Sequence, residues 1–341
     1  MRLMRQPAVL AVAVVIASLL LTGCVFGGSD DRGADPLVTP SATEITQAES
    51  SLPDGWRWES YGAVMVGVPD TWEDGGSTTQ LTSQWCIGEG DRAAPVVARP
   101  GVSTLVLCHA PVDPRRSHDS TDPGAVIETA GQFVAFSSAP GKPDGRSTEG
   151  DRVTVVRSEV SVLVQTTEAL RDRIVSTITT ADHDHNGCPV QHPVTSDPAL
   201  RPDPAGDVSS WSGIGTVVAC KYEIARDDRD SVGLLSSIEV QKGAEAVAAI
   251  ARAPVGGGPD DPRDCLADYS YGDDLIVISI DSDTGRHEVY LRYSGCDHNG
   301  LDDGTTVRRL TAAAVRPFVA GENVVGSMSG RPAKVHIVRG R

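Results

Sequence analysis

Lysine and large aromatic side chains are scarce in this 341-residue sequence: lysine stands only at Lys142, Lys221, Lys242 and Lys334, with five Trp, six Tyr and four Phe. The formal net charge is −16. That balance lacks the excess of cations that neutralises phosphates, so nucleic acid is excluded as a partner, as is docking onto anionic lipid through a basic face. No Cys-x-x-Cys occurs, which removes the usual zinc–thiolate sites. His-Glu-x-x-His, Walker A and Ser-x-x-Lys signatures are also missing. Gly326-Ser327-Met328-Ser329-Gly330 has Met where a nucleophile elbow needs serine. Gly256-Gly257-Gly258-Pro259 follows a helical pattern, whereas a phosphate cradle leads into one. Long apolar runs are absent except for Ala8 to Leu21, which falls short of the roughly 20 residues that cross a bilayer.

That run follows Arg2 and Arg5 and ends in small residues, the three parts of a secretory signal peptide. Its last four residues, Leu21-Thr22-Gly23-Cys24, resemble the lipobox of bacterial lipoproteins. The resemblance implies cleavage before Cys24, palmitate-type lipidation of its thiol, and a body held on the extracytoplasmic face of the cell membrane. Two or more acyl chains, each worth ~0.8 kcal/mol per buried methylene, make such an anchor stable. Loss of Arg2 and Arg5 with the signal leaves the body more acidic still, which keeps an exported protein soluble. Residues 24–51 hold Gly27-Gly28-Ser29, Pro36 and Pro40 with no early apolar period. They read as a tether with an end-to-end distance of ~25–30 Å.

Beyond Cys24 six cysteines remain, an even number for an oxidising compartment. They fall in neighbouring couples, so the simplest of about 15 pairings is Cys86 with Cys108, Cys188 with Cys220, and Cys265 with Cys296.

Two further regions follow, 52–187 and 188–325, and then a tail, 326–341. In the first, Val64, Val66 and Val68 alternate as a half-buried strand. Further strands are expected at 102–108, 133–137 and, on either side of a turn, 152–165. A helix capped by Thr167 carries Leu170, Ile174, Val175 and Ile178 on one stripe. His192 to Asp207, with four prolines, reads as a linker. In the second region strands are expected at 215–224, 234–240, 275–281 and 287–293, the last two joined at Asp283-Thr284-Gly285. Helices are expected at 244–253, with Val247, Ile250 and Ala251 inward, and at 306–315. The class is α+β, two small disulfide-stabilised domains, each an antiparallel sheet with one or two packed helices. Leu52-Pro53-Asp54-Gly55-Trp56 through Val68-Pro69-Asp70-Thr71-Trp72 resembles the start of Mog1/PsbP-like domains. Over those twenty or so residues the resemblance implies an antiparallel sheet flanked by helices, and it brings no catalytic residues.

The sharpest chemical motif is Asp182-His183-Asp184-His185-Asn186-Gly187, the opening Asp-x-Asp-x-Asn-Gly of a calcium loop. Asp182, Asp184 and Asn186 would be the oxygen ligands, but Pro193 stands where the bidentate Glu belongs. The same residue types form tight turns without an ion. His183, His185 and His192 offer a transition-metal alternative. Asp297-His298-Asn299-Gly300, beside Cys296, is a similar turn without the third acid. The expectation is therefore a membrane-anchored, non-enzymatic binding or interaction module whose partner is an envelope protein or small ligand, without a cofactor. The alternatives are a calcium- or transition-metal-binding surface protein, and a cell-wall hydrolase.

Overall fold

In the computed structural model the described residues are 52–81, 84–87, 95–100, 132–225 and 231–324. Residues from Ser50 on belong to one compact unit. The signal, Cys24, the tether, the 102–108 strand, Gly326–Gly330 and Cys108, hence the Cys86–Cys108 pair, lie outside the described residues.

The first region builds two sheets. Strands β1 (Trp56–Tyr61) and β2 (Val64–Pro69) form a hairpin whose second strand also pairs with the short β10 (Thr179–Thr180). The larger sheet takes β3 (Glu73–Leu81), β4 (Gln84–Ile87), β5 (Val96–Arg99), β6 (Phe133–Ser138), β7 (Gly145–Glu149), β8 (Arg152–Arg157) and β9 (Val160–Gln165), in the order β4-β3-β5-β6-β9-β8-β7. Its β3–β5 and β5–β6 ladders are parallel, which corrects the expectation of a wholly antiparallel sheet. The run 152–165 is two strands joined at Ser158 and Glu159, both at positive φ, the geometry that matches strand twist in a two-residue hairpin. Helix α1 (Glu168–Thr177) starts after Thr167, but the threonine side chain makes no capping bond. Its Ile174 is fully buried, with Leu170, Val175 and Ile178 packed on the same core as Val64, Val66, Val68, Val162 and Val164.

The second region is a six-stranded antiparallel sheet: β11 (Val217–Glu223), β12 (Leu234–Glu239), β13 (Asp274–Ser282), β14 (Gly285–Arg292), β15 (Gly300–Asp302) and β16 (Val307–Arg308), ordered β12-β11-β13-β14-β15-β16. Strand alternation in β11 sends Val217 and Ala219 to one face and Val218, Cys220 and Tyr222 to the other. Helix α2 (Gly243–Arg252) covers the first face with Ala246, Val247 and Ile250. The second face is covered by the segment read as a linker: Val194 is fully buried there and His192 and Thr195 nearly so. Four prolines thus mark an ordered cap, not a free connection. The expected helix 306–315 is also corrected. Only Ala312–Val315 is α-helical (α3), with the Thr311 hydroxyl accepting from the Ala314 amide at 3.3 Å. Upstream, Arg308 joins β16 and clamps Asp207 through two 2.7 Å bonds, so a tertiary ion pair overrides helix propensity.

Cys188–Cys220 and Cys265–Cys296 are disulfide-bonded. The first is buried in the second-face core. The regions are not separate globules, because Val232 and Leu235 of the second complete the core of the first. Gly62, at the tip of the β1–β2 hairpin, donates its amide to the Leu234 carbonyl. Its φ is +54°, and a Cβ there would press on Val160 and Val232, so this approach requires glycine.

Candidate functional site

A cluster of charged side chains stands where the two regions meet. The end of β1 is buried on both faces: Glu59 and Ser60 are each fully covered. Glu59 faces Arg99, which ends the otherwise apolar strand β5 and is 2 % exposed. Arg99 Nη2 ion-pairs with Glu59, and its Nε donates to the Ser60 carbonyl at 3.2 Å. Its guanidinium also lies 5.4 Å from the Phe136 ring. Arg57, two residues from Glu59 and so on the same strand face, donates to Glu59 Oε1 at 2.7 Å and pairs with Asp74. Glu322 arrives from a 3₁₀ turn, Gly321–Asn323, and reaches Arg99 Nη2 at 3.4 Å.

Oxygens of Glu59, Asp74 and Glu322 lie within 4.8 Å of one another, the one group among the described residues close enough to share a metal ion. Arg57 and Arg99 already stand among them, so this donor set serves two guanidiniums. Burial, reinforced by Glu59, raises the Asp74 carboxyl above its ordinary range and raises Glu322 well above it. For Arg99 burial works against the charge, but Glu59 and Glu322 outweigh it and the guanidinium is held more firmly protonated.

Behind Ser60 lies the turn that resembled a calcium loop. Asp184 is buried; its Oδ1 accepts from the Asn186 and Cys188 amides at 3.0 and 2.9 Å, and its Oδ2 from the Ser237 hydroxyl. Asn186 Nδ2 donates to Ser237 Oγ at 2.8 Å. Both Asp184 oxygens thus fold the turn and pin it to β12. Asp182 and His183 are exposed, and neither they nor Asp184, His185 and Asn186 belong to the grouped carboxylates. His185 Nδ1 sits 3.3 Å from Ser60 Oγ, and burial pushes this imidazole down despite Asp184 and Glu59. His192 caps a different turn: its Nδ1 accepts from the Val194 amide at 3.2 Å, and its Nε2 faces Glu288 at 3.4 Å. The later turn has another job: Asn299 is buried and donates to the Pro259 and Gly295 carbonyls, while His298 stacks on Tyr271 with ring centres 4.4 Å apart.

Beside the Gly321–Asn323 turn a groove of about 890 Å³ opens between Ile238 and Val240, the α2 residues Ala244, Ala248 and Ala249, Ala313 and Gly321. Small side chains line its floor, and Glu239, Lys242, Glu245 and Arg252 border it.

Sequence reasoning missed Arg99, Glu59, Asp74 and Glu322. The available signal was Val96-Val97-Ala98-Arg99, an apolar strand ending in a cation, with Arg57-x-Glu59 at strand spacing. Neither a protein-family model, nor a curated protein, nor a solved structure matches the chain. Among the described residues no helix is long and apolar enough to cross a membrane.

Proposed function

We propose that this protein is a membrane-anchored extracytoplasmic lipoprotein, held through Cys24, whose folded body is a non-enzymatic binding or interaction module of the cell envelope. The observation that carries the reading is the division of labour around β12. Glu59 and Arg99 are buried and paired with each other, and the partly buried Arg57 and Asp74 pair beside them, which favours a structural role over acid–base work. An accessible concavity beside β12 is an alanine-rich groove with an ionic border, the kind of apolar surface with a few polar groups that ligand sites use. The lipobox supplies the location and the disulfides suit an oxidising compartment.

Fatty-acid labelling of cells carrying the natural chain or Cys24→Ala tests the anchor; equal label in both refutes it. For the module, Ala248→Arg fills the groove from a half-buried position. It is expected to abolish the phenotype-complementing activity of the gene while leaving the melting midpoint and the membrane fraction unchanged. Full complementation by Ala248→Arg contradicts the groove as the working surface.

A further inference from the structure

Three carboxylates and two guanidiniums share the buried junction. Arg57 and Arg99 both engage Glu59, and Arg57 also engages Asp74, so two anions have two cations. Glu322 is the third anion and, among the described residues, has only the longer 3.4 Å approach to Arg99, a group already committed to Glu59. A further uncompensated charge in such surroundings is costly. The backbone around Glu322 is nonetheless tied firmly to the second region. Ser236 Oγ donates to the Glu322 carbonyl at 3.1 Å or to Asn323 Oδ1 at 2.7 Å. Asn323 Nδ2 donates to the Ala219 carbonyl at 2.9 Å. Lys221 Nζ, itself paired with Asp274 at 3.3 Å, donates to the Val324 carbonyl at 3.2 Å. The carboxyl is therefore carried into the cluster by a turn that is anchored elsewhere.

We infer that Glu322 is a proton-dependent latch: as a neutral carboxylic acid it seats the Gly321–Asn323 turn against the Arg99 end of the first region, and its ionisation loosens that seat. The charged and titratable groups facing it are Arg57 and Glu59 on β1, Asp74 on β3 and Arg99 on β5. Lys221 and Asp274 lie beside Val324, and His185 lies beyond Glu59. The raised affinity of Glu322 for its proton, caused first by burial and then by Glu59, agrees with this geometry. Because the folded state binds the proton more tightly, the stability from the latch is complete below the unfolded pKa of about 4.3. It is lost as pH rises toward the folded value.

The test is a pH series on the purified protein, with Glu322→Gln as the permanent mimic of the protonated form. Within the window between the two pKa values, this one group makes the unfolding constant rise by up to about tenfold per pH unit. Glu322→Gln is expected to remove that contribution, and to keep the Asn323 and Val324 amides equally protected from exchange below and above the titration midpoint of Glu322 in the natural protein. In the natural protein the same amides lose protection at the higher pH, after correction for intrinsic exchange. Carbon-13 titration of the Glu322 carboxyl in the unsubstituted protein gives a second reading that requires no variant, and a titration midpoint above the ordinary carboxyl range is expected. A Glu322 midpoint at or below the ordinary carboxyl range overturns the inference, as does a Glu322→Gln protein whose pH slope and amide protection match those of the natural chain.

Discussion

Arg99→Met removes the cation at the centre of the junction while keeping most of the side-chain length. Arg99 is 2 % exposed and Glu59 fully covered, so the loss leaves Glu59 buried with Arg57 alone, and Arg57 also serves Asp74. The Ser60 carbonyl loses its 3.2 Å donor. Breaking a buried ion pair from one side costs about 3–5 kcal/mol. With a urea slope near ~3 kcal/mol per molar, the unfolding midpoint falls by roughly 1–1.7 M. Removing the stranded anion as well relieves part of this, so Arg99→Met with Glu59→Gln is expected to cost less than the sum of the single changes by about 1–3 kcal/mol. Urea unfolding followed by tryptophan fluorescence reads all four proteins of the cycle. A single Arg99→Met penalty below about 1 kcal/mol, or a cycle additive within about 0.5 kcal/mol, refutes the reading of the junction as a coupled buried network.

The remaining predictions concern the disulfides, the aspartate turn and the acid limb of stability. Cys265–Cys296 is partly exposed, whereas Cys188 and Cys220 are 1 % and 3 % exposed, so thiol alkylation during mild reduction should label the former pair first; simultaneous labelling contradicts it. Loss of the Cys188–Cys220 link, which closes a separation of 32 residues, costs about 3.7 kcal/mol in the chain-entropy model, to be measured with the Cys188→Ala/Cys220→Ala protein. Asp184→Ala should lower stability by roughly 2–4 kcal/mol, because it removes a buried acceptor for two amides and a hydroxyl. EDTA should leave the natural protein's melting midpoint where it was, and a fall on chelation would favour the calcium reading instead. His185 has a lowered folded pKa, so its contribution is present above about pH 6.5 and is lost as pH falls toward the folded value; His185→Gln should flatten that limb in a thermal-melt series.

How far the sequence revealed this molecule depends on the distance over which each residue finds its partner. Period-two valines marked β2, β8 and β9, and Asp283-Thr284 marked the β13–β14 hairpin, because those patterns are satisfied by near neighbours. The α1 and α2 stripes were legible for the same reason. Arg308 illustrates the limit: its neighbours favour a helix, but its side chain is claimed by Asp207, about a hundred residues earlier. His192 to Asp207 failed similarly, since proline density signals irregular backbone and says nothing of whether that backbone caps a sheet. The junction was the least legible part. Glu59, Asp74, Arg99 and Glu322 come from four separate segments, and only their burial distinguishes them from ordinary solvated charges. Conversely, the Asp-x-Asp-x-Asn turn looked like chemistry because aspartates that fold a turn and aspartates that hold an ion occupy the same spacing.

The proposal that this body works while tethered to a membrane is tested most directly by mass spectrometry of the N-terminal peptide from protein extracted from membranes. The account predicts a peptide beginning at Cys24 whose mass includes the attached acyl chains. An N-terminal peptide that begins upstream of Cys24, or one that starts there with an unmodified thiol, contradicts it.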